Sequence, residues 1–246
     1  SEVYNRNLPI WMTYEPGSTF KIITLAAALE EGKVDLRHER FHDPGAIEVG
    51  GARLRCWKKG GHGSQTFLEV VENSCNPGFV TLGQRLGKEL LFQYIRNFGF
   101  GSKTGIDLRG EENGILFKLD RVGPVELATT SFGQGVSVTP IQQIAAVSAA
   151  INGGTLYKPH VAKALIRPDT GEVVQRFEPQ AVRRVISPET SQQIREALES
   201  VVARGTGRNA FIDGYRVGGK TGTAQKVVGG RYSPSEHIVS FIGFAP

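Results

Sequence analysis

The spacing of apolar and polar side chains changes along this chain. Between about residues 18 and 152, apolar residues recur with the three-to-four-residue period of helices that bury one face. Beyond residue 155, short alternating stretches separated by Gly, Pro, Asp and Asn are typical of antiparallel strands. The pattern predicts an α+β fold in one domain (1–246), with a helical lobe at roughly 18–152 and a strand-rich lobe at roughly 155–246.

The same pattern predicts individual elements. Helices are expected over residues 21–31, 67–73, 79–86, 88–98, 125–130, 141–151 and 187–204. Strands are expected over 215–228 and 238–244, and a hairpin over 160–167 and 172–177. Residues 32–64 contain many glycines and are expected to form a long irregular loop. The apolar segment 141–151 contains two glutamines and a serine, so it is predicted to be a buried core helix rather than a membrane span.

Composition and charge exclude some functions. The chain has 246 residues, 39% of them hydrophobic, and a net charge of +5. Its basic residues are dispersed, except for Arg53, Arg55, Lys58 and Lys59 around Trp57. No basic stripe or nucleic-acid module is present, so no nucleic acid is expected as a partner, although attraction to an anionic polymer stays open. His38 and His42 lack a third ligand nearby, and we predict no metal and no cofactor.

The first candidate for chemistry is Ser18-Thr19-Phe20-Lys21. Residues three apart share a helix face, so Ser18 and Lys21 would point the same way. A serine hydroxyl needs a base to become a nucleophile, and a lysine can be that base only when burial or a neighbouring charge lowers its pKa. Pro16-Gly17 precedes the helix, which would place Ser18 at its N-terminus. Alone, the pattern is more often an ordinary helix cap followed by a solvated lysine in the first turn.

Two further motifs contain complementary groups. Ser74-Cys75-Asn76 offers a hydroxyl that could relay a proton and an amide that could hold a carbonyl or a lysine. The run Lys220-Thr221-Gly222-Thr223 falls on a predicted strand, where the lysine and hydroxyls could bind a carboxylate and the glycine could let a substrate approach the backbone. Each motif alone is more often a polar turn or strand end.

Two rival interpretations are weaker. Residues 214–221 match the phosphate-binding string G-x-x-x-x-G-K-T, but no buried strand precedes them and no helix signal follows. A Ser-His-Asp triad lacks the G-x-S-x-G elbow.

Together, the three motifs are typical of penicillin-binding proteins and class A β-lactamases. The segment Tyr14–Lys21 resembles the start of the active-site helix of penicillin-binding transpeptidases. Residues 133–135, 139–140, 152–154 and 159–160 resemble their core helix region, and residues 218–224 resemble their third-motif strand. The chain is most similar to the sporulation-specific class B enzymes of spore-forming Gram-positive bacteria, with the division-specific class B enzymes as the near alternative.

The resemblance implies a β-lactamase/transpeptidase-like fold, an antiparallel sheet flanked by helices, and a serine-type D-Ala-D-Ala transpeptidase. It implies Ser18 as the acylated nucleophile, Lys21 as its base and Ser74 as the proton relay. Asn76, Lys220, Thr221, Gly222 and Thr223 would bind substrate, and the N–H groups of Ser18 and Thr223 would form the oxyanion hole. Peptidoglycan stem peptides would be the substrates and β-lactam antibiotics the inhibitors.

The resemblance also predicts features outside this chain. The family's domain is larger, so a fragment truncated at both ends is expected, with a membrane anchor and pedestal domain upstream. The domain would lie on the extracytoplasmic face of the cell membrane beside a membrane glycosyltransferase partner, in spore cortex or septal wall synthesis. A β-lactamase and a non-catalytic β-lactam sensor remain alternative functions.

The chain has two cysteines, Cys56 and Cys75, and the second lies within the Ser74 motif. In an extracytoplasmic domain they could form a disulfide, which would stabilise the fold by roughly 3 kcal/mol on the loop-entropy estimate. The bond would tie the loop around residue 56 to the catalytic turn. A redox pair regulated by a thiol-disulfide oxidoreductase is therefore predicted, with two unlinked thiols or a purely structural bridge as the alternatives.

Overall fold

The computed structural model describes residues 6–245, apart from the side chains of Val227, Val228, Arg231 and Pro234. The helices are α1 Leu8–Trp11, α2 Lys21–Glu30, α3 Phe67–Glu72, α4 Asn76–Asn97, α5 Pro124–Ser131, α6 Pro140–Ile151 and α7 Pro188–Arg204. The strands are β1 Arg40–Asp43, β2 Ala46–Val49, β3 Ala52–Arg55, β4 Gly63–Thr66, β5 Thr155–Lys158, β6 Ala164–Ile166, β7 Val173–Arg176, β8 Gln180–Arg184, β9 Gly218–Val228 and β10 Arg231–Phe244. The α+β prediction is confirmed, because helices and antiparallel strands are both present.

Helix α2 lies at the centre of the helical part. Its residues from Lys21 to Leu29 are buried, and it packs against α4, α6 and α7. A helix that is apolar all round is stable only when other elements cover it on every side. The one charged residue on its buried surface is Lys21, so the fold places an ionisable group in its core at the end of α2 nearest Ser18.

Helix α4 departs from regular geometry at one residue. Gly87 has φ 75° and ψ 165° and divides the helix into two segments. The sequence predicted two helices separated at this residue, and glycine is the residue that adopts such a conformation without a Cβ penalty.

The prediction of a long irregular loop over residues 32–64 is wrong. This region contains two small antiparallel sheets, in which β1 pairs with β4 and β2 pairs with β3. Its strands are four residues long, and their glycine-rich connections hid the alternation of buried and exposed residues. The outcome matters for the site, because Asp43 ends β1 and Cys56 follows β3 directly.

Strands β9 and β10 form the longest hairpin, paired antiparallel from Gly218↔Phe244 outwards, with an irregularity between Tyr232 and His237. Lys220 on β9 is buried, whereas its neighbour Thr221 is only half-buried, as expected for side chains that alternate between the faces of a strand. Strand β9 also packs against α7 and against the turn before α2. This contact brings the third motif to the first.

Within the described residues, no helix has both the length and the apolar composition needed to cross a bilayer.

Candidate active site

Ser18 lies in a 3₁₀ turn, Gly17–Phe20, that leads directly into α2. Gly17 has φ +56°, and a Cβ there would come within 2.6 Å of the carbonyl oxygen of Thr223 on β9. Its N–H donates to the carbonyl oxygen of Gly133 at 3.0 Å. Only glycine allows this approach, so Gly17 fixes Ser18 between β9 and the turn that contains Gly133. Ser18 itself is half-buried.

Lys21 is 1% exposed, and its Nζ donates to three acceptors on the second motif. They are the carbonyl oxygen of Ser74 at 2.9 Å, Ser74 Oγ at 3.1 Å and Asn76 Oδ1 at 2.7 Å. Burial lowers the pKa of Lys21 to about 7. Near neutral pH a large share of Lys21 is therefore uncharged and able to accept a proton, as the sequence required of a base.

Lys220 meets Lys21 at one oxygen atom. Its Nζ donates to Ser74 Oγ at 2.8 Å and to the carbonyl oxygen of Thr221 at 3.1 Å. Burial, and then the charge of Lys21, lower the pKa of Lys220 well below its ordinary value. Since a hydroxyl oxygen has two lone pairs, two donors leave the Ser74 proton available for another acceptor. Ser74 is thus arranged to pass a proton out of a lysine pair.

The backbone at Ser74 is in the left-handed region, with φ 52°, in a residue that is not glycine. Such a conformation costs on the order of 1–3 kcal/mol and persists only where surrounding structure enforces it. The N–H groups of Ser74 and Cys75 donate to the carbonyl oxygens of Val71 and Val70 at 3.1 and 3.0 Å. The end of helix α3 therefore holds Ser74 in the geometry that directs its hydroxyl to both lysines.

The motif residues surround an open cleft of about 480 Å³. Its lining residues are Ser18, Trp57, Ser74, Asn76, Gln134, Thr206, Thr221, Thr223, Gln225 and His237. The structure thus brings Ser18, Ser74, Asn76, Thr221 and Thr223 to one surface, with Lys21 and Lys220 buried beneath it. Within the described residues, no hydrogen bond joins Ser18 Oγ to Lys21 Nζ.

Gly222 has a different place from the one expected. It is buried and does not line the cleft. A Cβ at Gly222 would come within 2.8 Å of the Thr19 side chain and 2.9 Å of the Pro16 carbonyl oxygen. The missing side chain therefore allows β9 to pack against the serine turn, rather than a substrate to approach the strand.

Several lining residues carried no sequence signal for this role. Gln134 lies in a Gly-Gln-Gly turn and Trp57 lies at the centre of a basic cluster, and neither pattern indicates a place in the cleft. Thr206, Gln225 and His237 follow no motif. They reach the cleft because β9 and β10 pack against the turn that contains Ser18 and α7 packs against α3, which residue spacing alone does not indicate.

A second group of buried side chains lies directly behind Ser74. One donor atom from each of Asp43, Cys56, His62 and Cys75 lies within 4.8 Å of the others. Asp43 Oδ2 is 2.9 Å from His62 Nδ1 and accepts a hydrogen bond from Cys75 Sγ at 3.3 Å, and Cys56 Sγ is 3.3 Å from His62 Nδ1. Both cysteines are free thiols, and burial raises the pKa of Cys75.

This group could hold a metal ion. Two thiols, an imidazole and a carboxylate are ligand types found in four-coordinate zinc sites. His62 Nε2 is also buried without a partner among the described residues, so the imidazole is not fully committed to the protein. The expectation of no metal stays a prediction, and the donor set offers a specific alternative to it. His38 contacts Asp35 instead, at 3.0 Å.

The geometry can be compared with known proteins at this point. The family model of the penicillin-binding protein transpeptidase domain matches residues 2–246. This chain belongs to that family. Its sequence is 74% identical over 244 residues to stage V sporulation protein D of Bacillus subtilis (strain 168), covering 99% of this chain and 38% of the relative. Penicillin-binding protein PbpB of Mycolicibacterium smegmatis is 37% identical over 242 residues, covering 95% of this chain and 37% of the relative.

Solved structures of the transpeptidase family agree with the fold. The crystal structure of penicillin-binding protein 3 from Mycobacterium tuberculosis complexed with aztreonam matches with a TM-score of 0.90 at 34% identity. The match covers 97% of this chain and 55% of that chain. The predicted family resemblance and the β-lactamase/transpeptidase-like fold are therefore confirmed. The chain spans less than two fifths of the length of the curated relatives described above, at 38% and 37%.

Proposed function

We propose that this chain is the catalytic part of a serine D,D-transpeptidase that cross-links peptidoglycan stem peptides through an acyl-enzyme on Ser18. The observation that carries the proposal is the meeting of two buried lysines at Ser74 Oγ, in the cleft that Ser18 also lines. Relatives of this domain are named peptidoglycan D,D-transpeptidases, among them MrdA of Acinetobacter baumannii, which is 33% identical over 266 residues.

The first half of the reaction is acylation. Neutral Lys21 takes the proton of Ser18, and Ser18 Oγ attacks the carbonyl carbon of the penultimate D-Ala. The N–H groups of Ser18 and Thr223 would stabilise the oxyanion, and Lys220, Thr221 and Thr223 would bind the terminal carboxylate. As the peptide C–N bond breaks, Ser74 gives its proton to the departing amine and is reprotonated by the lysines.

Asn76 acts in this scheme chiefly on the base. Its Oδ1 accepts from Lys21 and its Nδ2 donates to the carbonyl oxygen of Arg55 at 3.2 Å. Both ends of the amide are engaged, so it fixes the position of Lys21 Nζ before substrate arrives. Contact with the acyl donor would require one of these bonds to open.

The second half of the reaction transfers the acyl group to an amine of a neighbouring stem peptide. A β-lactam follows only the first half, because its opened ring cannot diffuse away and leaves a stable ester on Ser18.

Mass spectrometry after incubation with benzylpenicillin tests the proposal. We expect one covalent adduct, located on the peptide that contains Ser18 and absent from Ser18→Ala. Circular dichroism of that variant controls for folding. A folded parent protein that forms no adduct, or forms it elsewhere, would contradict the proposal.

The same experiment separates the alternatives. A β-lactamase would hydrolyse the adduct quickly and turn over a chromogenic cephalosporin continuously. A non-catalytic β-lactam sensor would form the adduct but show no transfer of a thioester donor to an amine acceptor. The transpeptidase predicts a long-lived adduct together with acyl transfer.

The cellular setting is part of the proposal. The 74% identity to a stage V sporulation protein supports a role in wall synthesis during sporulation, most simply of the spore cortex, rather than at the division septum. We expect the domain on the extracytoplasmic face of the membrane, anchored by a segment outside this chain and acting with a membrane glycosyltransferase. Deletion of the gene, followed by analysis of cross-links in vegetative and spore peptidoglycan, would distinguish the two roles.

Cys56 and Cys75 are proposed as a redox pair. Their Sγ atoms lie within 4.8 Å, so a small movement would bring them to the length of a disulfide bond, about 2 Å. Cys75 directly joins Ser74 to Asn76, and a disulfide would therefore pull on the turn that holds Lys21. A thiol-disulfide oxidoreductase would restore the thiols. Equal penicillin labelling of a confirmed disulfide form and the reduced form would contradict this role.

A further inference from the structure

A positively charged depression lies beside the catalytic cleft. It has a volume of about 360 Å³, and Trp57 lines both this depression and the cleft. The exposed side chains of residues 44–61 include the cations Arg53, Arg55, Lys58 and Lys59 but only one carboxylate, Glu48. A surface whose exposed charges are mostly positive therefore borders the cleft that contains Ser18.

Most of this charge is not neutralised by the protein. Arg53 lies 3.7 Å from Glu48, which forms a long and exposed ion pair. The charged ends of Arg55, Lys58 and Lys59 have no hydrogen-bond or ion-pair partner among the described side chains. Like charges held on one short loop repel each other, so an anionic ligand would lower the electrostatic energy of this surface.

The loop that carries these cations is held in place by specific contacts. Gly61 N–H donates to the carbonyl oxygen of Lys58 at 3.0 Å, and Cys56 N–H donates to that of Gly45 at 2.9 Å. Trp57 Nε1 donates to the carbonyl oxygen of Asn73 at 2.7 Å, next to the catalytic turn. The backbone that carries the cations is thus fixed relative to Ser74, so the loop itself loses less entropy when a ligand binds.

Trp57 remains 62% exposed although its ring nitrogen is anchored. A tryptophan with a satisfied N–H and a bare ring face offers apolar contact area at little entropic cost, as is common in binding surfaces. A ligand with both apolar and anionic groups therefore fits this surface better than a simple anion does.

We propose that Arg55, Trp57, Lys58 and Lys59, together called the basic wall, bind the acceptor: an anionic peptide with free carboxylates whose amine reacts with the acyl group on Ser18. The inference deepens the proposed function and rests on it. In the step concerned, the amine nitrogen attacks the acyl carbon and an amide bond forms. The ester bond to Ser18 Oγ breaks, and the proton lost by the amine returns to that oxygen.

The test compares two double variants of the full-length protein with equal loss of charge. Lys58→Gln/Lys59→Gln alters the basic wall, and Lys163→Gln/Arg176→Gln alters exposed cations on the β6–β7 hairpin. A thioester donor is supplied with an acceptor peptide that carries two free carboxylates, or with the same peptide amidated, and the ratio of acyl transfer to hydrolysis is measured. We expect the ratio for the anionic acceptor to fall about three- to twentyfold in the wall variant only.

A measurement on the unaltered protein does not depend on any variant folding. Raising the salt concentration from about 0.05 to about 0.5 M should reduce transfer to the anionic acceptor and leave the amidated acceptor little affected. Equal responses of the two acceptors to salt would contradict the proposal that the basic wall binds the acceptor. A parallel fall in benzylpenicillin acylation in the wall variant would contradict it too, and neither result would affect the proposed function. Failure of the unaltered protein to be acylated would overturn the proposed function and this inference with it.

Discussion

The acylation rate should depend on pH through Lys21. Burial lowers the pKa of Lys21 to about 7, and only its neutral form can accept the proton of Ser18. The neutral fraction is then about one tenth at pH 6 and about nine tenths at pH 8, so the rate should rise roughly tenfold between these values with a midpoint near 7. The rise with pH follows because the protonated form is the inactive one.

The size of the effect on the rate comes from the lowered pKa of Lys21, which is buried at the start of α2. A lysine with its ordinary pKa near 10.4 is neutral for only about 0.04% of the time at pH 7, so the shift increases the active fraction roughly a thousandfold. Lys21→Arg should lose at least that factor and the pH dependence, because a guanidinium does not deprotonate in this range. Lys21 also has three acceptors within 3.1 Å, which would favour its charged form, and the midpoint measures the balance of these effects.

Stopped-flow labelling with a fluorescent penicillin from pH 5.5 to 9 gives the profile. His237 also lines the cleft, so His237→Gln is the necessary control and should keep the midpoint. A flat profile, a midpoint above about 9, or a midpoint that disappears in His237→Gln would refute Lys21 as a neutral base.

Three further predictions concern stability and metal binding. Gly17→Ala should lower the free energy of unfolding in urea by roughly 2 kcal/mol or more, because the new Cβ clashes with β9 and the backbone has a positive φ. The control Gly32→Ala has a similar φ of +60° but open space around it, and it should cost only about 1 kcal/mol. Glu30→Ala should cost about 1–3 kcal/mol in the same assay, because its carboxylate accepts hydrogen bonds from the N-cap of α7, and an unchanged midpoint would contradict this. Zinc at 100 times its dissociation constant should raise the free energy of unfolding of the reduced protein by about 2.7 kcal/mol. A chelator should reverse this effect, and the Cys56→Ser/Cys75→Ser variant should not show it. A melting temperature that is insensitive to zinc would exclude the metal site.

The sequence predicted the site better than it predicted the surroundings of the site. The sequence predicted Ser18 at the start of the helix that contains Lys21, and Ser18 lies in the 3₁₀ turn that leads into that helix. Gly87 marked the break in α4. The meeting of Lys21 and Lys220 at Ser74 could not be derived in this way. It depends on two contacts between distant parts of the chain. One joins residues that are 53 positions apart and the other joins residues that are 146 positions apart, so no local period indicates either.

The errors have local causes. Strands β1–β4 are four residues long and separated by glycines, so no run was long enough to show alternation. Gly222 was assigned to substrate because a strand glycine often faces a ligand, but here the space it leaves is filled by Thr19 and Pro16. The buried cluster carries no local sequence signal, because Asp43 ends β1, Cys56 and His62 lie in the β3–β4 connection, and Cys75 lies between α3 and α4.

The position of the cysteine cluster behind the catalytic turn has a mechanical consequence. Cys75 is buried and donates a hydrogen bond to Asp43. Its two chain neighbours, Ser74 and Asn76, are the residues that accept hydrogen bonds from Lys21 Nζ. Ser74 is already in a strained left-handed conformation, so it has little freedom to absorb a displacement of Cys75. A disulfide to Cys56 or a metal ion bound by Cys75 is therefore expected to change the distances from Lys21 to its acceptors on Ser74 and Asn76 more than it changes Ser18, which lies on a separate turn. The cluster should act on the midpoint of the pH profile as well as on the rate, and this separates regulation of the base from simple obstruction of the cleft.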